Sequence, residues 1–274
     1  MVVIPGPVEF VMGSPPTEAG RVGNAETQHK TRIGRTFVLS AKPVTVGEYR
    51  KFEPRHANGG IEQWATSADS PVIFTDWFHA AHYCNWLSKR EGLPESEWCY
   101  EPIDGKYEGG MRLARNYLQR QGYRLPTEAE MEYATRAGAV TARYYGETDE
   151  LLPKYAWYIM NAQEKTWPVG SLKPNDLGLF DAGNVFTWCQ ERFKPYPEGN
   201  KATEDTEDEL VVSSTDGRVL RGGSFLTPAS YVRSAFRFYN LPTIRYNLIG
   251  FRPARTLRLD SFPALPPPAE GGRK

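Results

Sequence analysis

Residues 218–225 read RVLRGGSF, and residues 250–255 answer with GFRPAR. The pair Gly222 and Gly223 marks a place where the backbone takes a conformation, or makes a close approach, that is closed to other residues. It lacks the lysine and the spacing of a phosphate-cradling loop, and no Gly-x-Ser-x-Gly elbow accompanies it. The segment between the two runs mixes arginines with aromatics, so its chemistry can be checked position by position. Two further runs extend the pattern outward: YRLPTEAEMEYA at 123–134 and PVGSLKPNDLGLFDAGNV at 168–185.

At 274 residues the chain can bury a substantial core. No internal linker interrupts it, so it reads as one domain over residues 1–260. A tail over 261–274, with Pro266, Pro267, Pro268, Gly271 and Gly272, follows. Lysine plus arginine equal aspartate plus glutamate at 33 each. No basic excess draws the whole protein onto nucleic acid or an anionic membrane, and a partner must be recognised locally. No run approaches the roughly twenty apolar residues that span a bilayer, and no leader is visible. The expected compartment is the cytoplasm, although the abrupt start at a strand-like run points to a larger multidomain parent. Cys84, Cys99 and Cys189 are too few for a disulfide scaffold and read as reduced and buried.

Val2 to Met12 reads as strands broken by Pro5 and Pro7, and Thr36 to Leu39 as another strand. Thr45 with Glu48 forms a capping box that opens a helix through about Phe52. A second helix runs from near Asp76 to Arg90 and stops at Gly92, with Trp77, Ala81, Cys84 and Leu87 on its core face. Pro126, Thr127 and Glu130 start a third, which Gly138 ends. Beyond Tyr144 the chain is short β-like runs between Gly, Pro, Asn and Asp. The acidic run Glu204 to Glu209 reads as a solvated loop. His79 and His82 share a helix face, but His29 and His56 sit in loops with no pattern that completes a metal site.

Four long motifs in this order resemble the formylglycine-generating-enzyme and sulfatase-modifying family, over nearly the whole chain. The resemblance implies an α+β fold: the formylglycine-generating-enzyme subtype of the C-type lectin fold, a small twisted antiparallel sheet with two or three helices and much irregular structure. The family's oxidases use two cysteines after the Gly-Gly-Ser run to bind copper and engage a substrate thiol. Alignment on Gly222, Gly223 and Ser224 puts Thr227 and Val232 there, and no cysteine follows Leu220 to replace them. The family's iron-dependent branch takes its ligands from a helical domain with a histidine triad, which this chain lacks. No catalytic residue is assigned. The family also binds calcium around the run that here reads GLFDAGNVFTW, making Asn161, Asp176, Asp181 and Asn184 candidate ligands. One residue is missing there and Thr187 replaces a carboxylate; the alternative is that Asp181 and Asn184 make turn hydrogen bonds.

In and around 225–248, Arg221, Arg233, Ser234, Ala235, Arg237, Pro242, Arg245, Gly250, Phe251 and Arg252 match the family frame and read as structural. Between them, Leu226, Thr227, Tyr231, Phe236, Phe238, Tyr239, Asn240, Ile244, Tyr246 and Asn247 form the candidate ligand-binding surface, with Leu248 beside them. Tyrosine and phenylalanine suit recognition, while Phe225, Phe236 and Leu248 are the likeliest of these to belong to the core. The expectation is a non-catalytic module that binds a protein or small molecule at 225–248. The pattern also looks like the variable region of retroelement-diversified proteins, in which randomised asparagine codons cannot yield Lys, Glu, Gln, Met or Trp. None of the surface positions carries one. The remaining alternative is a metal-dependent oxidase of the family with a non-standard active site.

Overall fold

In the computed structural model, which describes residues 1–56, 60–197, 201–207 and 210–258, the first two strands go to different sheets. β1 (Val2–Ile4) and β2 (Val8–Met12) are separated by Pro5 and Pro7, which cannot donate to a ladder. β1 pairs with β4 (Phe37–Leu39), whereas β2 pairs with β3 (His29–Ile33). α1 (Val46–Tyr49) begins at the expected capping box: Thr45 Oγ1 accepts the Glu48 amide at 3.1 Å, and the Glu48 carboxylate accepts the Thr45 amide at 2.9 Å. It stops at Tyr49 rather than Phe52. Pro54 disfavours a helical Glu53, and Phe52 turns aside to pack on His82 and Tyr83.

α2 (Trp77–Arg90) is capped by Asp76, which accepts the His79 amide at 2.8 Å, and Gly92 follows its end at φ +77°. After β5 (Tyr100–Ile103) and β6 (Lys106–Leu113) comes α3 (Glu128–Arg136), with the second capping box at Thr127 and Glu130. Its end comes one residue before the expected glycine, because Ala137 itself takes the left-handed conformation at φ 49°. The chain then makes β7 (Phe186–Arg192), β8 (Thr203–Glu204), β9 (Val211–Val212), β10 (Arg218–Arg221), β11 (Arg237–Asn240), β12 (Ile249–Gly250) and β13 (Ala254–Thr256).

The strands form four small sheets, ordered β1-β4-β13, β11-β10-β7-β12, β2-β3-β8 and β5-β6-β9. The expected α+β fold holds, with its strands divided among small, mostly antiparallel sheets. Two pairs, β12 with β7 and β3 with β8, are parallel, because long connections bring distant two-residue strands alongside. The four-stranded sheet divides the main cores. Trp188 and Leu220 face one core with α2, and Cys189 and Val219 face the other with Ala129, Met131 and Ala134 of α3, as a period of two requires. All three cysteines are buried and unpaired.

The acidic run is not a solvated loop over its described part. Glu204 pairs with Arg32, Asp205 is held by Arg35 and Thr127, and Glu207 accepts the amides of Asn116 and Leu118. Arg35, Thr127 and Leu118 are buried or half-buried donors that demand acceptors, and Asp205 and Glu207 supply them, while Glu204 stays exposed on β8. Asp208, Glu209 and the tail over 261–274 lie outside the described residues.

Candidate recognition surface

The segment after β10 is fastened by its glycines and arginines. Gly222 and Gly223 have φ of +93° and +78°. A Cβ on Gly222 would meet the Asp181 carbonyl oxygen at 2.7 Å, and one on Gly223 would meet Val232 Cγ2 at 3.0 Å. Arg221 donates to the carbonyls of Ser234 and Phe236 and to Glu132. Arg233 clamps Glu18 and Glu26, Arg237 makes a two-pronged pair with Glu128, and Arg252 donates to the Phe180 carbonyl at 2.7 Å. These forks tie irregular loops together through fixed donor geometry. Arg245 departs from the buried set: its half-exposed side chain reaches Asp76 at 3.0 Å and contacts His79.

The two positions aligned with the oxidase thiols are sealed. Thr227 Oγ1 accepts the Ser224 amide at 3.0 Å and donates to the Ser224 carbonyl at 2.9 Å. Val232 packs with Leu152, Ala156 and Tyr158. Neither residue supplies the sulfur that Cu(I) selects, so copper held as in the oxidases does not fit this donor set. Cys84, Cys99 and Cys189 lie elsewhere in the two main cores. Burial pushes all three thiols up, Cys99 to about 12, the reverse of what a reactive thiolate needs.

The ten surface candidates divide by depth. Tyr231, Phe238, Tyr239 and Tyr246 are exposed, at 40, 45, 51 and 50%. Leu226, Asn240 and Ile244 are half-buried, with Ile244 resting on the core. Thr227, Phe236 and Asn247 are buried and leave the surface. Phe236 is interior because Tyr231 stacks over it at 4.4 Å and Phe186 lies 6.4 Å from it. Phe238 rests on Phe186 at 5.7 Å and Tyr239 on Phe193 at 4.6 Å. These two successive residues of β11, an outer strand of its sheet, thus project to opposite faces.

Leu241, at 42%, belongs with them, as do Ile159 and Met160, at 49 and 78%, whose loop donates the Ile159 amide to the Thr227 carbonyl. Sequence reading missed all three. An apolar pair in YIMNA looks the same whether it faces core or solvent.

Of the calcium candidates, Asn161 and Asn184 are used by turns. Asn161 accepts the Tyr158 amide and donates to the Ala156 carbonyl; Asn184, at φ 65°, accepts the Trp167 amide and donates to its carbonyl. Asp176 is exposed. Asp181 is buried, with the Thr135 hydroxyl as its only neighbouring side-chain donor among the described residues. These four side chains offer at most one buried carboxylate, so the remaining oxygens of a calcium site here would have to come from backbone carbonyls and water. Of the histidines, His79 pairs with Asp76, His82 stacks on Tyr107, His56 bonds the Ile73 carbonyl and His29 packs on Tyr196.

The sulfatase-modifying factor enzyme 1-like domain family matches residues 1–257. A formylglycine-generating enzyme of Streptomyces coelicolor is 38% identical, over 92% of this chain and 88% of its own length. Among solved structures, variable protein 1 of Treponema denticola superposes with a TM-score of 0.75 at 27% identity, covering 93% of this chain and 94% of that one. PvdO from Pseudomonas aeruginosa superposes with a TM-score of 0.70 at 24% identity, covering 93% of each, and shares the fold.

Proposed function

The chain belongs to the sulfatase-modifying factor enzyme 1-like family, and within that family we propose that it works as a non-catalytic recognition module. The observation that carries this reading is a contrast within one segment. Where the oxidases place two thiols, this chain has a hydroxyl spent on a local turn and a valine in apolar packing. Further along the same segment it spends aromatic side chains on solvent, at Phe238, Tyr239 and Tyr246. Exposed rings that rest on other rings are stiff, so binding through them costs little side-chain entropy. The partner is a protein or small molecule that meets the sheet edge at β11, from which Phe238 and Tyr239 project to either side, and the balanced charge of the chain argues against nucleic acid.

The identity to a formylglycine-generating enzyme favours catalysis as the competing reading. The two are separated by supplying Cu(I), oxygen and a thiol-bearing peptide: no oxygen uptake above the peptide alone is expected, and turnover would end the recognition reading. The likeness to the Treponema variable protein supports a narrower version, in which the exposed positions are diversified by a retroelement. Sequencing the coding region across close isolates should then find substitutions concentrated at Tyr231, Phe238, Tyr239 and Tyr246 and scarce at Phe236 and the arginines. Even scatter along 225–248 would reject that version.

A further inference from the structure

Beneath the turn that carries Tyr231 and Val232 lies a cavity of about 10 Å³, room for the centre of one water-sized molecule. Three buried hydroxyls without a protein hydrogen bond, those of Tyr144, Tyr145 and Ser234, belong to residues that line it, and so does Asp181, whose buried carboxylate has the Thr135 hydroxyl as its one side-chain hydrogen-bonding neighbour. Asp181 and Ser234 are 4 and 5% exposed. An unpartnered buried polar group is costly, and several around one small space point to a shared guest.

The neighbouring cations do not serve Asp181. Arg143 gives its donors to the carbonyls of Val232, Ala229 and Glu147, and Arg233 is committed to Glu18, Glu26 and two carbonyls. Arg252 acts on Asp181 by charge, while its hydrogen bonds go to the carbonyls of Phe180, Ser40 and Ala41. Three arginines thus balance Glu18, Glu26 and Asp181, and this even charge favours a neutral guest over an ion. Beside Thr135, the carboxylate has acceptor sites left for a further donor, and the hydroxyls can give or take a proton.

We propose that this cavity is a binding site for one neutral O–H group, a water or a small alcohol, which donates to Asp181 and bridges to the Tyr144, Tyr145 or Ser234 hydroxyl. The guest would brace from below the loop that holds Tyr231 at the surface. It is independent of whether that surface binds a partner, so the inference stands or falls apart from the recognition reading.

Crystals of the whole chain, grown once without any alcohol or polyol and once soaked in methanol, test it. A single peak in the first, about 2.8 Å from Asp181 and from at least one hydroxyl, assigns water; density for two joined atoms only after the soak assigns an alcohol; either supports the site. A cavity closed by direct contact of Tyr144 with Asp181, or a peak that thallium replaces with an anomalous signal, overturns it. In Asp181→Leu the guest should be lost, and in Tyr144→Phe it should remain with one contact fewer. Persistence of an unchanged peak in Asp181→Leu would show that Asp181 does not hold it.

Discussion

Phe236 and Phe238 stand two residues apart and touch the same ring, Phe186, yet one is 3% exposed and the other 45%. Phe236→Ala should cost about 3–5 kcal/mol, since it empties a closed aromatic stack. Phe238→Ala should cost about 1 kcal/mol or less, because solvent already covers half of it. Urea midpoints of the two variants at constant slope measure this difference. Equal losses would mean that Phe238 belongs to the interior and is not available to a partner. The sequence already assigned Phe236 to the core and left Phe238 on the surface, and the structure supplies the reason: Tyr231 lies over the Phe236 ring, whereas Phe238 keeps half of its ring in solvent.

At the level of the element, α3 carries the least foreseeable chemistry. Its capping box could be read from Thr127 and Glu130, but Glu128, Glu130 and Glu132 stand two apart and fall on both sides of the helix, with no local pattern to mark them as interior. All three are buried, against Arg237, against Arg124 with Arg35, and against Arg221 with Arg136. Burial alone would raise the Glu130 and Glu132 carboxyls, but these guanidiniums outweigh it and hold both below the ordinary value near 4.5. A carboxyl depressed in the folded state stabilises fully above its unfolded value and loses that contribution as pH falls through the folded one. Thermal stability should therefore decline below about pH 4.5. Glu18, Asp181 and Asp205, whose carboxyls burial raises, act with the opposite sign and blunt the decline. Glu130→Gln should cost about 3–5 kcal/mol at neutral pH by leaving two arginines facing an amide, and should flatten the acid limb. A limb of unchanged steepness in calorimetry across pH would assign it to other groups.

For the whole molecule, the two cores on either side of the four-stranded sheet decide what can react. Cys84 and Cys99 lie in one and Cys189 in the other. The native protein should show no thiol reactive to a disulfide reagent over minutes, and three after denaturation. A fast-reacting native thiol would reveal an opening that the packing does not allow.

The sequence by itself determined the family, the two capping boxes, the glycine pair at 222 and 223, and the loss of sulfur at positions 227 and 232. Each is a matter of residue type at fixed spacing along the chain. Only the tertiary structure decided which of the residues 225–248 meet solvent, which charges become buried pairs, and that Tyr144, Asp181 and Ser234 ring one cavity. Burial and pairing depend on partners scores of residues away, such as Phe186 for Phe238 or Glu18 for Arg233. No local pattern in a chain encodes the distance at which such partners meet.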